Sequence, residues 1–265
     1  MDRLDVLPLG PQPVRPDPVS LEKMKFFVFA PMYNHTRRDA TAVFQPEGQR
    51  FLKHHGQRVG DITLIDNRRL KPFQRRDVLR VLKAYQGACE KVCVALCCHG
   101  YKWGLQLGFK LRHAKVLGRH IAELGDRAPH VVLYACDTAR DLDRDRKDDL
   151  EAFGGDGGFA DLLRDAMCRA GAVDCQVDAH TTAGHAGWNP NVRRFEGMGS
   201  PVGCIGGQYI VPFPTRELLK GLSPDQKQKK RAAWAGWMEA LKTPFRYEFP
   251  FMSIGEIHRH LTTPS

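Results

Sequence analysis

His99 and Cys136 are two residues of this sequence whose types could act together in nucleophilic catalysis. A Cys thiolate can attack a carbonyl carbon, and a His imidazole can activate the thiol or protonate the leaving group. Gly100 follows His99 directly, and because it has no side chain its N–H can approach a substrate carbonyl closely. With the N–H of Cys136 it could form an oxyanion hole. These residues indicate thiol-dependent acyl chemistry, either hydrolysis or acyl transfer.

The two residues each follow a short apolar run, at residues 92–98 and 131–135. Such runs are typical of strands buried on both faces of a parallel sheet. Residues 104–125 between them are long enough for a crossover helix, which would place the strands side by side with both carboxyl ends at one edge. Catalytic groups lie at that edge in open α/β sheets. We therefore expect His99 and Cys136 to face each other there.

Strand and helix patterns alternate through the rest of the chain. Strands are predicted at residues 25–30, 61–66, 172–178 and 208–211, and helices at residues 46–55, 71–85, 159–170 and 224–241. With the two central strands, this order favours an α/β fold with a mostly parallel sheet of about six strands and helices on both faces. Residues 1–20 hold five prolines and predict a disordered or extended tail. We expect residues 21–265 to form one domain that ends in a C-terminal helical extension.

The composition is typical of a soluble globular protein, with 42% hydrophobic residues in a chain of 265. No apolar run reaches the length of a membrane span, and the N-terminus has no signal-peptide core. The eight cysteines are not spaced as a disulfide framework, which favours reduced thiols. We therefore expect a cytoplasmic protein without a membrane partner.

Two features of the sequence could indicate a bound ligand: its positive net charge and the run Cys97-Cys98-His99. The formal net charge of +10 could serve contact with nucleic acid or an acidic partner, but no nucleic-acid motif accompanies it, so a solvated basic surface is expected. Cys97 and Cys98 precede His99 and could suggest a metal site. Strand alternation would send the two thiols to opposite faces, and a tetrahedral site needs four convergent ligands. No metal is expected.

The order of these motifs resembles a known family. An apolar strand that ends in His99 and Gly100, then a helix, then a strand that ends in Cys136, is similar to the signature of the caspase-like (clan CD) cysteine peptidases. Residues 131–139 are most similar to the CHAT branch of that group. The resemblance covers residues 26–211.

The resemblance implies a three-layer caspase-like fold and cysteine endopeptidase activity on a protein or peptide substrate. Cys136 would be the nucleophile and His99 the general acid/base, while the N–H groups of Gly100 and Cys136 would bind the oxyanion. Cleavage would follow a single preferred P1 side chain and would need no cofactor. Residues 140–158 stand where caspases carry a processed linker, so autoprocessing or control by a regulatory partner protein is a further expectation.

Several positions depart from the family's substrate pocket. Caspases carry Gln two residues before the nucleophile and Arg directly after it, where this chain has Tyr134 and Asp137. A pocket for P1 aspartate is therefore not supported. Metacaspases carry an acid where Tyr134 stands, so their pocket for a basic P1 residue is not supported at that position either. By their positions relative to the nucleophile, Tyr134 and Asp137 are substrate-binding candidates, and Arg37, in the loop after the first strand, is a further one. Asp178, expected at the end of the fifth strand, would favour a basic P1 residue.

Two alternatives remain open. A catalytically silent caspase-like module could bind a partner protein or nucleic acid. The positive net charge and the Trp-bearing C-terminal helix favour this alternative. The presence of both His99 and Cys136 argues against it, because a binding module has no need of the pair. A different cysteine-dependent enzyme, such as an acyltransferase, could use the same residues on a related sheet.

Overall fold

The computed structural model describes residues 24–33, 44–140, 157–181, 192–197, 207–209 and 219–240. The predictions for the Pro-rich tail, for Arg37, for residues 141–156 of the charged loop and for the chain after residue 240 lie outside the described residues. Within the described ranges, no helix is both long enough and apolar enough to cross a bilayer.

Ten strands and five α-helices are described. The strands are β1 (Met24–Pro31), β2 (Ile62–Ile65), β3 (Lys91–Cys97), β4 (Gly100–Tyr101), β5 (Gly104–Leu105), β6 (Phe109–Lys110), β7 (His130–Tyr134), β8 (Gln176–His180), β9 (Val192–Glu196) and β10 (Gly207–Tyr209). The helices are α1 (Phe44–His54), α2 (Lys71–Lys83), α3 (Leu111–Ala122), α4 (Phe159–Arg169) and α5 (Pro224–Ala240). A short 3₁₀-helix, Val59–Asp61, precedes β2.

Seven strands form one mixed sheet in the spatial order β10-β9-β8-β7-β3-β1-β2. Neighbouring strands from β2 to β8 pair in parallel, whereas β9 pairs antiparallel with both β8 and β10. The prediction of an α/β fold with a mostly parallel sheet is confirmed. β9 is an additional strand that the sequence pattern did not predict, and it separates the two strands expected to be the last ones.

Both faces of the sheet are buried, because β1, β3 and β7 are apolar along nearly their whole length. Val28, Ala95 and Val132 are lateral neighbours on three strands and pack in the core that includes α1. Phe29 and Leu96, each one residue further along, point to the opposite face and pack in the core that includes α2, α3 and α4. Helices therefore lie on both faces, as the sequence predicts.

The segment between β3 and α3 differs from the prediction. The crossover helix begins at Leu111, and the small antiparallel sheet β4-β5-β6 precedes it. Gly104 has φ of 146°, and a Cβ there would overlap the carbonyl oxygen of Phe109, so a side chain cannot fit between these strands. The strand, crossover, strand unit still brings β3 directly beside β7.

Candidate active site

The carboxyl ends of β3 and β7 lie side by side at one edge of the sheet. Cys97 of β3 pairs with Tyr134 of β7, and the N–H of Cys98 donates a hydrogen bond to the carbonyl oxygen of Tyr134 at 3.2 Å. His99 and Cys136 each lie two residues past that last pair. The structure therefore brings the two predicted catalytic residues to the same edge, where open α/β sheets place their ligand sites.

Gly100 joins the two strand ends by direct contact. A Cβ at this position would lie 2.6 Å from the carbonyl carbon of Ala135 and 2.7 Å from its Cβ, and would overlap the carbonyl oxygen of Cys136. No residue with a side chain fits there without a shift of one backbone against the other. The backbones that follow His99 and precede Cys136 thus touch. The oxyanion-binding role of the Gly100 and Cys136 N–H groups stays a prediction.

His99 is half-buried and its backbone is held on both sides by Gln106 of the small hairpin region. The N–H of His99 donates to Oε1 of Gln106 at 3.2 Å, and the N–H of Gln106 donates to the carbonyl oxygen of His99 at 2.8 Å. The imidazole packs edge-to-face on Phe44 of α1, with 4.7 Å between ring centroids. The hairpin and α1 therefore restrict both the backbone and the ring of His99.

The chain turns sharply directly after β7. Asp137 has φ of 57°, and it is the one non-glycine residue with positive φ in the described part of the chain. A left-handed conformation is disfavoured for residues with a side chain, and such strain concentrates at functional sites. The carboxylate of Asp137 lies 3.3 Å from the guanidinium of Arg140 on the outside of the turn. The turn leaves Cys136 half-buried at the sheet edge rather than inside the core.

Two hydrogen bonds anchor this turn to the sheet. The buried hydroxyl of Thr138 donates to the carbonyl oxygen of Ala135 at 2.9 Å. The N–H of Ala139 donates to the carbonyl oxygen of His180, the last residue of β8, at 2.9 Å. Both bonds fix backbone close to Cys136. A thiol carried on such an anchored turn is held in a defined position at the strand ends.

The cysteines differ in accessibility. Of the seven described, six are buried and only Cys136 is half-buried. Burial raises the pKa of the Cys98 thiol to about 12, and it raises the pKa of Cys97 well above the ordinary value. These buried thiols are protonated at neutral pH and cannot act as nucleophiles. Cys97 and Cys98 also lie in the cores on opposite faces of the sheet, as strand alternation predicts.

Asp178 lies inside the sheet rather than at its edge, which corrects its predicted role as a substrate-binding residue at a strand end. It is the central residue of β8 and pairs with Val132. The buried carboxylate accepts two hydrogen bonds from Arg194, both at 2.8 Å, and one from Nε2 of His130 at 2.7 Å. Burial by itself would raise the pKa of Asp178, but Arg194 and His130 hold it well below its usual range. Its oxygens therefore tie β7, β8 and β9 together.

A second acid, Glu47 of α1, faces the strand ends and was not predicted as a site residue. Its side chain is 1% exposed. Burial raises the pKa of Glu47, while the Tyr134 hydroxyl, Arg50 and His180 oppose that rise. Tyr134 is itself buried and packs edge-to-face on His180, with 5.5 Å between ring centroids. The sequence gives no signal for this role, because acids are common in the first turn of a helix, where they interact favourably with the helix dipole.

The edge therefore brings together a half-buried cysteine just past the end of β7, a histidine just past the end of the neighbouring β3, and a glycine in close contact with the Ala135 and Cys136 backbone. Such a set can attack a carbonyl carbon, transfer protons and stabilise an oxyanion. Comparison of the chain with protein-family models, with curated proteins and with solved structures finds no match in any of the three. The chemistry of the site therefore has to be inferred from its own residues.

Proposed function

We propose that this chain is a cysteine endopeptidase with a caspase-like fold, in which Cys136 is the nucleophile and His99 the general acid/base. The observation that carries the proposal is that His99 and Cys136 each lie two residues past the same paired position of adjacent parallel strands, with Gly100 in backbone contact with Cys136. The accessibility of Cys136 among otherwise buried described thiols supports its role. The mostly parallel sheet with helices on both faces supports the three-layer arrangement.

Acylation follows from these roles. His99 takes the thiol proton of Cys136, and the thiolate attacks the carbonyl carbon of the scissile peptide bond. The oxyanion of the tetrahedral intermediate accepts hydrogen bonds from the N–H groups of Gly100 and Cys136. When the intermediate collapses, the carbon–nitrogen bond breaks and the leaving amine takes the proton from the imidazolium. The product is a thioester on Cys136 and a free amine.

Deacylation uses the same groups with water as the nucleophile. His99 removes a proton from a water molecule, which attacks the thioester carbonyl, and the same N–H groups hold the second oxyanion. The carbon–sulfur bond then breaks, and the imidazolium returns its proton to the sulfur. The carboxylic acid product leaves, and the enzyme regains its thiol. A peptide amine in place of water would give acyl transfer by the same steps.

A mild thiol alkylating probe tests the proposal. Iodoacetamide at limiting concentration is expected to label Cys136 faster than the buried cysteines of the native protein, because Cys136 is the accessible one of the described thiols and the proposed pairing with His99 would favour its thiolate. His99→Ala should slow labelling of Cys136 roughly 10-fold, since the imidazole no longer favours the thiolate. Peptide mapping by mass spectrometry identifies the labelled residue.

The matched control is Cys98→Ala, which removes the buried thiol next to His99 in sequence. This variant should leave the labelling rate of Cys136 close to that of the wild type. Equal labelling of Cys136 in the wild type and in His99→Ala would contradict the dyad. Preferred labelling of Cys98 would contradict the assignment of the nucleophile.

A binding module is the second candidate, and one observation favours it. Tyr101 and Trp103 are stacked with 5.5 Å between ring centroids and 5° between planes, and they are 42% and 52% exposed. Exposed aromatic rings beside Lys102 suit stacking with nucleic-acid bases. Fluorescence anisotropy of a labelled single-stranded oligonucleotide tests this function. Binding that is lost in Trp103→Ala and kept in Cys136→Ala would favour the module over the peptidase.

A further inference from the structure

The first turn of α1 lies against the proposed catalytic edge. Phe44, the first residue of α1, packs on the ring of His99, and Glu47 lies three residues further on the same side of the helix. Glu47 interacts electrostatically with Cys97 and with Tyr134, the last residues of β3 and β7. Its carboxylate therefore lies next to the strand ends from which the catalytic residues project.

The Glu47 carboxylate has unused hydrogen-bonding capacity in the described part of the chain. Its side chain is 1% exposed, and the Tyr134 hydroxyl lies close enough to lower the pKa of Glu47. Even so, neither carboxylate oxygen accepts a hydrogen bond of ordinary geometry from the described residues. The guanidinium Nη1 of Arg50, one turn along α1, lies 3.7 Å from Oε1 of Glu47. The Arg50 side chain is 41% exposed, so solvent weakens this ion pair. Burial of a carboxylate without hydrogen bonds is costly, so its place beside an active site suggests a role in binding a ligand.

We propose that Glu47 is a specificity-determining residue, which pairs with the cationic end of a P1 Arg or Lys side chain bound beside Tyr134. This inference rests on the proposed peptidase function and names its substrate class. Tyr134 stands two residues before the nucleophile Cys136 and is in turn a neighbour of Glu47.

Two other acids near the strand ends are already engaged. Asp178 uses both carboxylate oxygens for Arg194 and His130 inside the sheet. Asp137 pairs with Arg140 on the outer side of the turn. Neither has the combination of burial and open acceptor positions that Glu47 has. A charge-assisted pair between Glu47 and a substrate cation would fill those positions.

The pH dependence of this specificity follows from the groups around Glu47. Arg50 faces it from its own helix, Cys97 from β3, Tyr134 from β7 and His180 from β8. Burial raises the pKa of Glu47 more than these neighbours lower it. A protonated carboxyl group cannot form the ion pair, so the preference for a cationic P1 side chain should decline as the pH falls through that raised pKa.

A pair of fluorogenic peptides that differ only at P1, one with Arg and one with its neutral isostere citrulline, tests the proposal. The wild type should cleave the Arg peptide with about 100-fold higher kcat/KM, as expected for a hydrogen-bonded charge pair. In Glu47→Gln the ratio of the two kcat/KM values should fall to near 1. Glu90→Gln, which removes an exposed acid before the start of β3, is the matched control and should keep the ratio.

Two further readouts extend the test, and the first of them includes a measurement on the wild type that needs no assumption about the variant's fold. The Arg-over-citrulline ratio of the wild type should decline at acidic pH, and the residual ratio of Glu47→Gln should be independent of pH. The unfolding temperature of Glu47→Gln should equal or exceed that of the wild type, because an amide avoids the cost of a buried charge. A lower unfolding temperature would identify Glu47 as a partner of an internal cation and would overturn the proposal.

The remaining outcomes separate this inference from the proposed function. An active Glu47→Gln variant with the wild-type Arg-over-citrulline ratio would overturn the role of Glu47 while leaving the peptidase intact. Preference of the wild type for citrulline, or for P1 Asp, would do the same. A wild type that cleaves neither peptide and shows no selective labelling of Cys136 would overturn the peptidase and the specificity together.

Discussion

His99 and Cys136 occupy equivalent positions just beyond two neighbouring parallel strands, each two residues past the last pair that joins β3 to β7. The sheet register, rather than a long loop, therefore sets the relation between their backbones. Replacement of either side chain is expected to leave the paired backbone in place, so variants at these two positions should report on chemistry rather than on folding.

The first prediction concerns turnover. Cys136→Ala and His99→Ala should each lower kcat by roughly 10⁴-fold or more, because each removes one half of a proton-transfer and attack unit. The double variant should be scarcely worse than either single variant, since residues that act as a unit are not additive. Hydrolysis of a fluorogenic peptide library measures the rates. Activity that survives Cys136→Ala but is lost in Cys98→Ala would contradict the assignment.

The second prediction concerns the contact of Gly100 with the turn. Gly100→Ala should destabilise the fold by about 1–3 kcal/mol and should reduce activity, because the new methyl group forces β3 and β7 apart at their ends. Gly60→Ala is the control, since a Cβ there meets no atom within 4 Å. Urea denaturation and peptide hydrolysis measure the two effects. A Gly100→Ala protein with wild-type stability would show that the strand ends are not in contact.

The third prediction concerns Asp178 and pH. Asp178→Asn should destabilise the fold by about 3–5 kcal/mol at pH 7, because it leaves the largely buried Arg194 without its carboxylate. The folded-state pKa of Asp178 is depressed, so its contribution is complete above the unfolded pKa of about 4 and is lost as the pH falls below it. The difference between the wild type and Asp178→Asn should therefore shrink in acid.

Denaturant unfolding at several pH values measures this difference. Asp174→Asn, which removes an exposed acid just before β8, is the control and should change stability little. The P1 preference of Asp178→Asn should match that of the wild type, because Asp178 has no oxygen free to meet a substrate. A selective loss of activity on basic substrates would reverse the correction made for Asp178.

The fourth prediction concerns the turn after the nucleophile. Asp137→Gly should be more stable than Asp137→Ala by about 1 kcal/mol, because glycine adopts the left-handed conformation at φ of 57° without steric cost. Both variants lose the ion pair with Arg140, so their comparison isolates the backbone term. Thermal unfolding measures the difference. Equal stabilities would place residue 137 in another conformation.

The strands that position the candidate site are predicted well from the sequence. The buried strands β1, β3 and β7 are nearly unbroken apolar runs, and runs of this length between polar residues are typical of strands in a parallel sheet. Their carboxyl ends then place His99 and Cys136 by the geometry of a crossover connection. The two-residue strands β4, β5 and β6 escape prediction because two residues show no periodicity.

The predictions from the sequence that differ from the structure concern charged residues that are buried. β9 contains Arg193 and Arg194, which a sequence pattern assigns to the surface, although Arg193 is 5% exposed and Arg194 pairs with Asp178 inside the sheet. The pattern predicts the fifth strand at residues 172–178 and so puts Asp178 at its end, whereas β8 spans Gln176–His180. The partner Arg194 lies 16 residues away and cannot be identified from spacing. Glu47 shows the same limit, because burial of a single acid depends on how α1 packs.

The three atoms nearest to a Cβ at position 100 belong to the backbone of Cys136 and to Ala135, and none of them is the thiol. A deep mutational scan that sorts variants by cellular abundance should therefore admit only glycine at position 100, even in a Cys136→Ala background. The same scan should tolerate many residues at positions 99 and 136, which only a screen for activity would restrict. A descendant of this chain that had lost its chemistry would still be expected to keep the glycine.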